Sequence, residues 1–533
     1  MAKRKREIDG TGAAKALKSR RENGGPAAQR ATTKEVAVRK KKEGAVNGQA
    51  VAETSKAKRQ PDAKSGDEDT DLTTIQVITG SYERVLHGFA ASIPRNLVTG
   101  QDDTSGADTD KPKVDFTDTF LFNAHASAIR CLAISPLSDE TSKVTLATGS
   151  TDERINLYSI STAPPVASKL KPKLPSLHGG SITENPKNKE LGSLLHHSSN
   201  ITALYFPTRS KLLSSAEDST VAITRTRDWT ALSTIKAPIP KPQGRPSGDT
   251  AGPGEVPSGI NDFAVHPSMK LMVSVGKGEK CMRLWNLVTG KKAGVLNFGR
   301  DILTAVGEGR FGSGEGRQVI WDAEGEEFAV GFERGIVVFS IDSKPKVKIA
   351  PLPRTKIHQM HYLPQPSESL PAATLLLVST EDGRVLLYDT NSTSSSTTSE
   401  TPEAEKSGKD DIPSSRLVAQ IGGPAAGMTG RVKDFEIIPL SEQKFIIVTG
   451  SSDGTVRFWA LDTEELGNDG ADAGKAKGFT ALQVGRLLGS YSTGTRITCL
   501  KAFRMTGKPD EEDEEEVVEK KSEASSDEDD DSE

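Results

Sequence analysis

Along the middle of the chain, apolar and polar residues alternate in short runs that break at a turn and resume, and the arrangement returns six times. The runs read Leu146-Ala-Thr-Gly-Ser-Thr-Asp152 through Tyr158, Leu212-Leu-Ser-Ser-Ala-Glu-Asp218 through Thr224, and Met272-Val-Ser-Val-Gly-Lys-Gly-Glu279 through Trp285. Phe328-Ala-Val-Gly-Phe-Glu333 through Phe339, Leu377-Val-Ser-Thr-Glu-Asp382 through Tyr388 and Val448-Thr-Gly-Ser-Ser-Asp453 through Trp459 complete the set. Period-two apolarity on both sides of a Gly/Ser/Asp turn predicts a β-hairpin, because an aspartate side chain bonds the backbone amides just beyond it and holds the turn. The turn acids are 66, 61, 54, 49 and 71 residues apart. A four-stranded propeller blade needs about 40–45, so the excess must sit in insertions. Pro/Ser/Lys-rich 160–190, Pro/Gly-rich 238–258, Ser/Thr-rich 391–416 and Gly/Asp/Lys-rich 462–478 are those insertions, expected between one hairpin and the next unit.

Composition adds two tails to this picture. Only 34% of the 533 residues are hydrophobic, too few for a chain packed throughout. Residues 1–64 carry 18 Lys/Arg against 7 Asp/Glu, and residues 510–533 carry 15 Asp/Glu against 2 Lys, so a net charge of −4 conceals a basic arm and an acidic tail. Neither can bury a core, and both are expected to be disordered. The clusters Lys3-Arg4-Lys5-Arg6 and Arg39-Lys40-Lys41-Lys42 suit nuclear import receptors or phosphate backbones. In the tail, Ser525 and Ser526 precede five consecutive acids and are candidate phosphorylation sites. Cys131, Cys281 and Cys499 stand far apart without a CxxC pair, which argues against disulfides and zinc and for a reducing compartment. No run approaches the roughly 18 apolar residues of a membrane helix, and no apolar segment follows the N-terminal charges, so neither a membrane partner nor secretion is expected.

The hairpin pattern resembles WD40 repeats, which form β-propellers. The resemblance implies a buried tetrad in each blade, made of a His, a second-strand Ser or Thr, the turn Asp and a third-strand Trp. His125, Thr148, Asp152 and Tyr158 match one blade with tyrosine for tryptophan; His197, Ser214 and Asp218 match another, with Thr224 in the Trp position. Glu279 with Trp285, Asp382 with Tyr388 and Asp453 with Trp459 are the remnants elsewhere, and Met428 stands where the last repeat would carry His. Such polar chains are read as structural, since buried polar groups must be satisfied. A strand pair at Ile75–Phe89 and another at Leu487–Leu500 flank the six units; shared in one blade, they would close a ring of seven without an exposed edge. The expected organisation is all-β: a disordered basic arm over 1–70, a seven-bladed WD40 propeller over 71–505 and an acidic tail over 506–533.

Gly80-Ser-Tyr-Glu-Arg-Val-Leu-His-Gly-Phe89, Val265 through Gly276, Arg283-Leu-Trp-Asn-Leu-Val-Thr-Gly290, Gly430-Arg-Val-Lys-Asp434 and Ser451-Ser-Asp-Gly454 are together similar to the p21-activated kinase-interacting protein family. Its fungal members are ribosome-assembly factors. The resemblance implies a nucleolar scaffold in maturation of the large (60S) ribosomal subunit, a monomer within a larger complex of pre-60S particle proteins and rRNA. The alternative it implies is a binder and negative regulator of p21-activated kinase. No enzyme signature competes. Gly307-Glu-Gly-Arg-Phe-Gly312 fits GxGxxG but lies between repeats, His358-Gln-Met-His361 lacks further ligands, and no cofactor or metal is expected.

Overall fold

The computed structural model describes residues 72–99, 113–138, 141–165, 185, 187–239, 258–308, 312–364, 374–393, 412–466 and 481–506. The basic clusters of the arm, Ser525 and Ser526 lie outside them.

Seven four-stranded antiparallel sheets make up the described chain. Blade 1 takes β1 (Leu72–Ser81), β2 (Val85–Pro94) and β3 (Asp115–Asn123) from its N-terminal side. Blade 2 is β4 (Ile129–Ile134), β5 (Lys143–Ser150), β6 (Ile155–Ser161) and β7 (Lys189–Leu194). Blade 3 is β8 (Ile201–Thr208), β9 (Lys211–Ala216), β10 (Thr220–Arg225) and β11 (Ala231–Lys236). Blade 4 is β12 (Ile260–Val265), β13 (Leu271–Gly276), β14 (Cys281–Asn286) and β15 (Lys291–Asn297), followed by a short helix α1 (Arg300–Ala305). Blade 5 is β16 (Gln318–Trp321), β17 (Glu327–Gly331), β18 (Ile336–Ser340) and β19 (Pro345–Ile349). Blade 6 is β20 (Ile357–Tyr362), β21 (Leu375–Thr380), β22 (Arg384–Thr393) and β23 (Ser415–Gly422). Blade 7 is β24 (Val432–Pro439), β25 (Lys444–Ser451), β26 (Thr455–Asp462) and β27 (Arg486–Ser492). The last strand, β28 (Ile497–Arg504), returns to blade 1 and pairs with β1, giving the order β28-β1-β2-β3.

The first strands of successive blades touch in sequence, β4 to β8, β12, β16, β20, β24 and β28, and β28 meets β4. The ring is therefore a closed seven-bladed β-propeller. Its core lies between blades, where strands present apolar side chains on both faces. Ile75, Val77 and Phe89 of blade 1 pack against Ile446, Val448 and Phe458 of blade 7, while Ile78, Leu86 and Phe120 pack against Ile129, Leu146 and Tyr158 of blade 2.

Two expectations differ in detail. Residues 487–492 belong to β27, the outermost strand of blade 7, so the C-terminus contributes one strand to the shared blade and the N-terminus three. Three of the four insertions lie inside blades, between third and fourth strands: β6 and β7, β22 and β23, β26 and β27. Only 238–258 joins one blade to the next. Within its sheet a fourth strand pairs only with its third-strand neighbour at the rim, so a long detour before it leaves the inner three strands in register.

Candidate interaction surface

The turn between second and third strands and the connection entering the next blade share one face of the ring, here called the turn face. In blade 2, His125 enters from that connection. Its Nδ1 lies 3.1 Å from Asp152 Oδ2 and its Nε2 2.7 Å from Thr148 Oγ1. Asp152 also accepts the amides of Ala126 at 2.9 Å and Arg154 at 3.1 Å, the second being the aspartate turn read from sequence. Burial works to raise the Asp152 carboxyl, but His125 and these amides outweigh it and hold it below its ordinary value. Burial pulls the His125 ring down against the attraction of Asp152, so the imidazole is held neutral. Tyr158 is buried beside them.

Blade 3 repeats the arrangement with His197 Nδ1 at 3.1 Å from Asp218 and Nε2 at 2.8 Å from Ser214 Oγ. Thr224, in the tryptophan position, is fully buried with its hydroxyl unpartnered. His196 instead supplies a second ring: it lies 4.6 Å from His197, centroid to centroid, with Nε2 3.2 Å from Ser214 Oγ. The tryptophans of blades 4 and 7 serve their own second-strand hydroxyls, Trp285 Nε1 donating to Ser274 at 2.8 Å and Trp459 Nε1 to Thr449 at 3.2 Å.

In blades 4, 6 and 7, where the histidine is missing, an arginine from the third strand reaches the turn acid. Arg283 pairs with Glu279, Arg384 with Asp382 at 2.6 Å and Arg457 with Asp453 at 3.6 Å. Arg384 is wholly buried and also donates to the Leu352 carbonyl at 3.0 Å, while Tyr388 packs nearby in the core. Met428, at the missing histidine of blade 7, is an apolar core residue. An arginine can replace the histidine because the requirement at the turn is a donor to a half-buried carboxylate. No histidine-based motif signals this; an Arg two to four residues after the turn acid does.

The turn face also carries a ring of charge. The residue just before each first strand is Ala128, Asn200 and Gly259 in blades 2 to 4, but Arg317, Lys356, Arg431 and Arg496 in blades 5, 6, 7 and 1. Glu333 takes Arg317 at 3.5 Å and Lys356 at 2.9 Å, and Glu381 takes Arg431 at 3.1 Å, each bridge except the first joining neighbouring blades. Blade 7 has Ser452 where blade 6 has Glu381, as the matching amide bonds to Arg431 O and Lys356 O show. Arg496 lies instead over the ring of Tyr82, 5.7 Å from its centroid. Glu83 is occupied by the Arg496 amide at 2.9 Å. The motif Gly80–Phe89 thus forms the turn and hairpin of the closing blade.

The remaining motifs are dispersed. Gly307 follows α1 and the next described element is the strand β16. His358 Nε2 lies 3.5 Å from Lys433 Nζ, whereas His361 packs edge-on to Phe435 at 4.9 Å; burial lowers both rings to about 4. Among the described residues, no group of three or more His, Cys, Asp or Glu is placed to hold a metal ion. No described helix is long and apolar enough to cross a membrane.

Comparison with known proteins places residues 116–159, 188–224 and 431–460 in the family described as WD domain, G-beta repeat. The first two matches begin in or just before a fourth strand, so the sequence repeat is offset by one strand from the blade. The chain is 25% identical over 434 residues to a p21-activated protein kinase-interacting protein 1-like protein of Xenopus laevis, covering 81% of this chain and 83% of the relative. It is 27% identical over 415 residues to Protein MAK11 of Saccharomyces cerevisiae, covering 74% and 80%. A second p21-activated protein kinase-interacting protein 1-like protein, from Danio rerio, is 24% identical and covers 80% of each chain.

Proposed function

We propose, from the premise that this chain is a seven-bladed WD40-repeat β-propeller, that it is a non-enzymatic scaffold for assembly of the large (60S) ribosomal subunit in the nucleolus. The observation that carries this reading is the similarity to yeast MAK11 over 74% of this chain, taken with the fungal ribosome-assembly members of the family its motifs resemble. The partners are pre-60S particle proteins and rRNA, and the protein works as a monomer within the particle. It needs no cofactor.

The blade residues fit a structural role. His125, Thr148, Asp152, Tyr158, His197, Ser214, Asp218, Glu279, Trp285, Asp382, Tyr388, Asp453 and Trp459 hold turns and fill blades through the contacts described above. The arm 1–70 carries the nuclear and nucleolar address in Lys3–Arg6 and Arg39–Lys42, the propeller spans 71–505, and the tail 506–533 presents Ser525 and Ser526 to acid-directed kinases.

A second reading, a binder and negative regulator of p21-activated kinase, is favoured by the names of the frog and zebrafish relatives. Affinity purification of the tagged chain from nuclei, followed by gradient sedimentation, separates the two. Pre-60S particles should co-sediment with it; recovery of kinase without such particles would refute the assembly role.

A further inference from the structure

Around the turn face, the cations preceding the first strands are neutralised blade by blade until the ring reaches blades 7 and 1. Arg317, Lys356 and Arg431 each have a carboxylate, and their ion pairs serve as stitches between or within blades. At the next step the carboxylate position is Ser452, and neither Lys433 nor Arg496 makes an ion pair with a described residue. Lys433, in β24, touches His358 at 3.5 Å and feels the Glu381 carboxylate, already paired with Arg431, without forming an ion pair with it. Arg496, exposed just before β28, lays its guanidinium over the Tyr82 ring, while Glu83 takes only its backbone amide. Burial, together with the nearby Arg431 and Arg496 guanidiniums, pulls Lys433 below its ordinary value against the attraction of Glu381.

Tyr82 is 61% exposed at the tip of the closing hairpin, among the large hydrophobic side chains most open to solvent. Its amide donates to the Arg496 carbonyl at 2.9 Å, and Arg84, two residues on, sits at φ 72°, so the turn holds the ring out by a fixed backbone. Arg496 covers one face of the ring. The other is free. Cations beside an aromatic face held out by rigid backbone are what a single nucleic-acid strand requires: a charge for the phosphate and a flat apolar surface for the base. An acidic peptide would use the charges but leaves the exposed ring without a purpose. The chain's own acidic tail starts beyond Arg504, which pairs with Ile75 at the far end of β28, away from this face.

We propose that Tyr82, Arg496 and Lys433 form a binding site for single-stranded RNA on the turn face of blades 7 and 1, with Tyr82 stacking on a base and the two cations each holding a phosphate. This deepens the assembly role and rests on it for the identity of the RNA as rRNA.

The test uses the full chain and a fluorescent uridine-rich RNA of about 12 nucleotides, within the span such sites cover. Tyr82→Ala should weaken binding roughly five- to a hundred-fold through lost stacking, with the salt dependence unchanged. The double variant Lys433→Gln, Arg496→Gln should reduce the slope of log affinity against log salt by about 1.4, the value for two phosphate contacts on a single strand. Lys277→Gln, which removes a cation paired with Glu217 on the other side of the face, should change neither. Photo-crosslinking of the unaltered chain to 4-thiouridine RNA should label the peptide holding Tyr82, a readout independent of how the variants fold. Variants that bind within two-fold of the parent, or crosslinks confined to residues 1–64, would overturn the site. A peptide of residues 510–533 whose binding needs Lys433 and Arg496 when RNA binding does not would overturn it as well. If particles still co-sediment in any of these cases, the site fails and the assembly role stands; if the parent binds RNA through Tyr82 but no particle co-sediments, the assembly role fails and the site stands.

Discussion

Removing β28 should unfold the propeller, and removing the acidic tail should not. β28 contributes Ile497 and Leu500, both at 0% exposure, and Phe503 at 5%, and Met505 just after it is at 7%. At about 1.5–3 kcal/mol for each buried side chain of this size, these four supply roughly 6–12 kcal/mol, an upper estimate because an unfolded chain already hides part of the area. The strand also fastens both neighbours: the Leu500 amide donates to Asp434 of blade 7 at 2.7 Å, and the Thr498 hydroxyl to the Ile129 carbonyl of blade 2 at 2.6 Å. A typical net stability is about 5–15 kcal/mol, so the loss is comparable to the whole. Truncation after Arg496 should therefore give aggregated protein on size exclusion and no cooperative melting by circular dichroism. Truncation after Thr506 keeps every one of these contacts and should leave the melting curve unchanged. Leu500→Ala, a milder probe, should cost about 2–5 kcal/mol and lower the melting temperature by several degrees. A protein ending at Arg496 that stays monomeric and melts like the parent would refute closure by a single C-terminal strand.

Thr224→Val should leave stability unchanged or raise it by about 1 kcal/mol, measured by urea unfolding, because it deletes a buried hydroxyl that has no partner and keeps the shape; a loss above that amount would mean the hydroxyl is bonded. On acidification the histidines and turn carboxylates should destabilise the fold in two steps, opposed by Asp262 and Asp434, whose carboxyls burial pushes up to about 7 and about 6. His125 and His361 are held below the ordinary 6.5, His361 at about 4, so the unfolded chain binds more protons and stability should fall as pH drops from about 6.5 toward 4. Asp152 and Asp218 are held below 3.8, so their contribution, complete above that value, should disappear only at lower pH. His361→Leu should reduce the size of the first step, and a variant whose melting temperature changes between pH 7 and 5 as the parent's does would contradict it.

The fold class was legible because a hairpin is a local object. Alternating residues, a turn acid two residues before the amide it accepts, and an aromatic on the third strand all lie within about a dozen positions, and Asp152, Asp218 and Asp453 accept the amides of Arg154, Thr220 and Thr455 accordingly. The pairings of His125 with Asp152 and of His197 with Asp218 were implied by the resemblance to WD40 repeats and not by the residues alone.

Tertiary structure decided what depends on neighbours distant in the chain. Whether 487–492 closes the ring or finishes blade 7 turns on which of two apolar strands finds β1, and both alternate alike; β28 takes that place because its residues are buried from both sides, by blade 7 and blade 2, whereas β27 ends at the rim with Leu487 at 47% exposure. The role of Arg384 could not be read either, since an arginine in a strand is ordinarily solvated and this one is buried by the Leu352 carbonyl arriving from the preceding connection. The same holds for Arg496 and Tyr82, 414 positions apart in the sequence and stacked at the closure. Local alternation determines strands and turns because their hydrogen bonds are short-range, while the charge left unpaired on a face depends on which blades the closed ring makes adjacent.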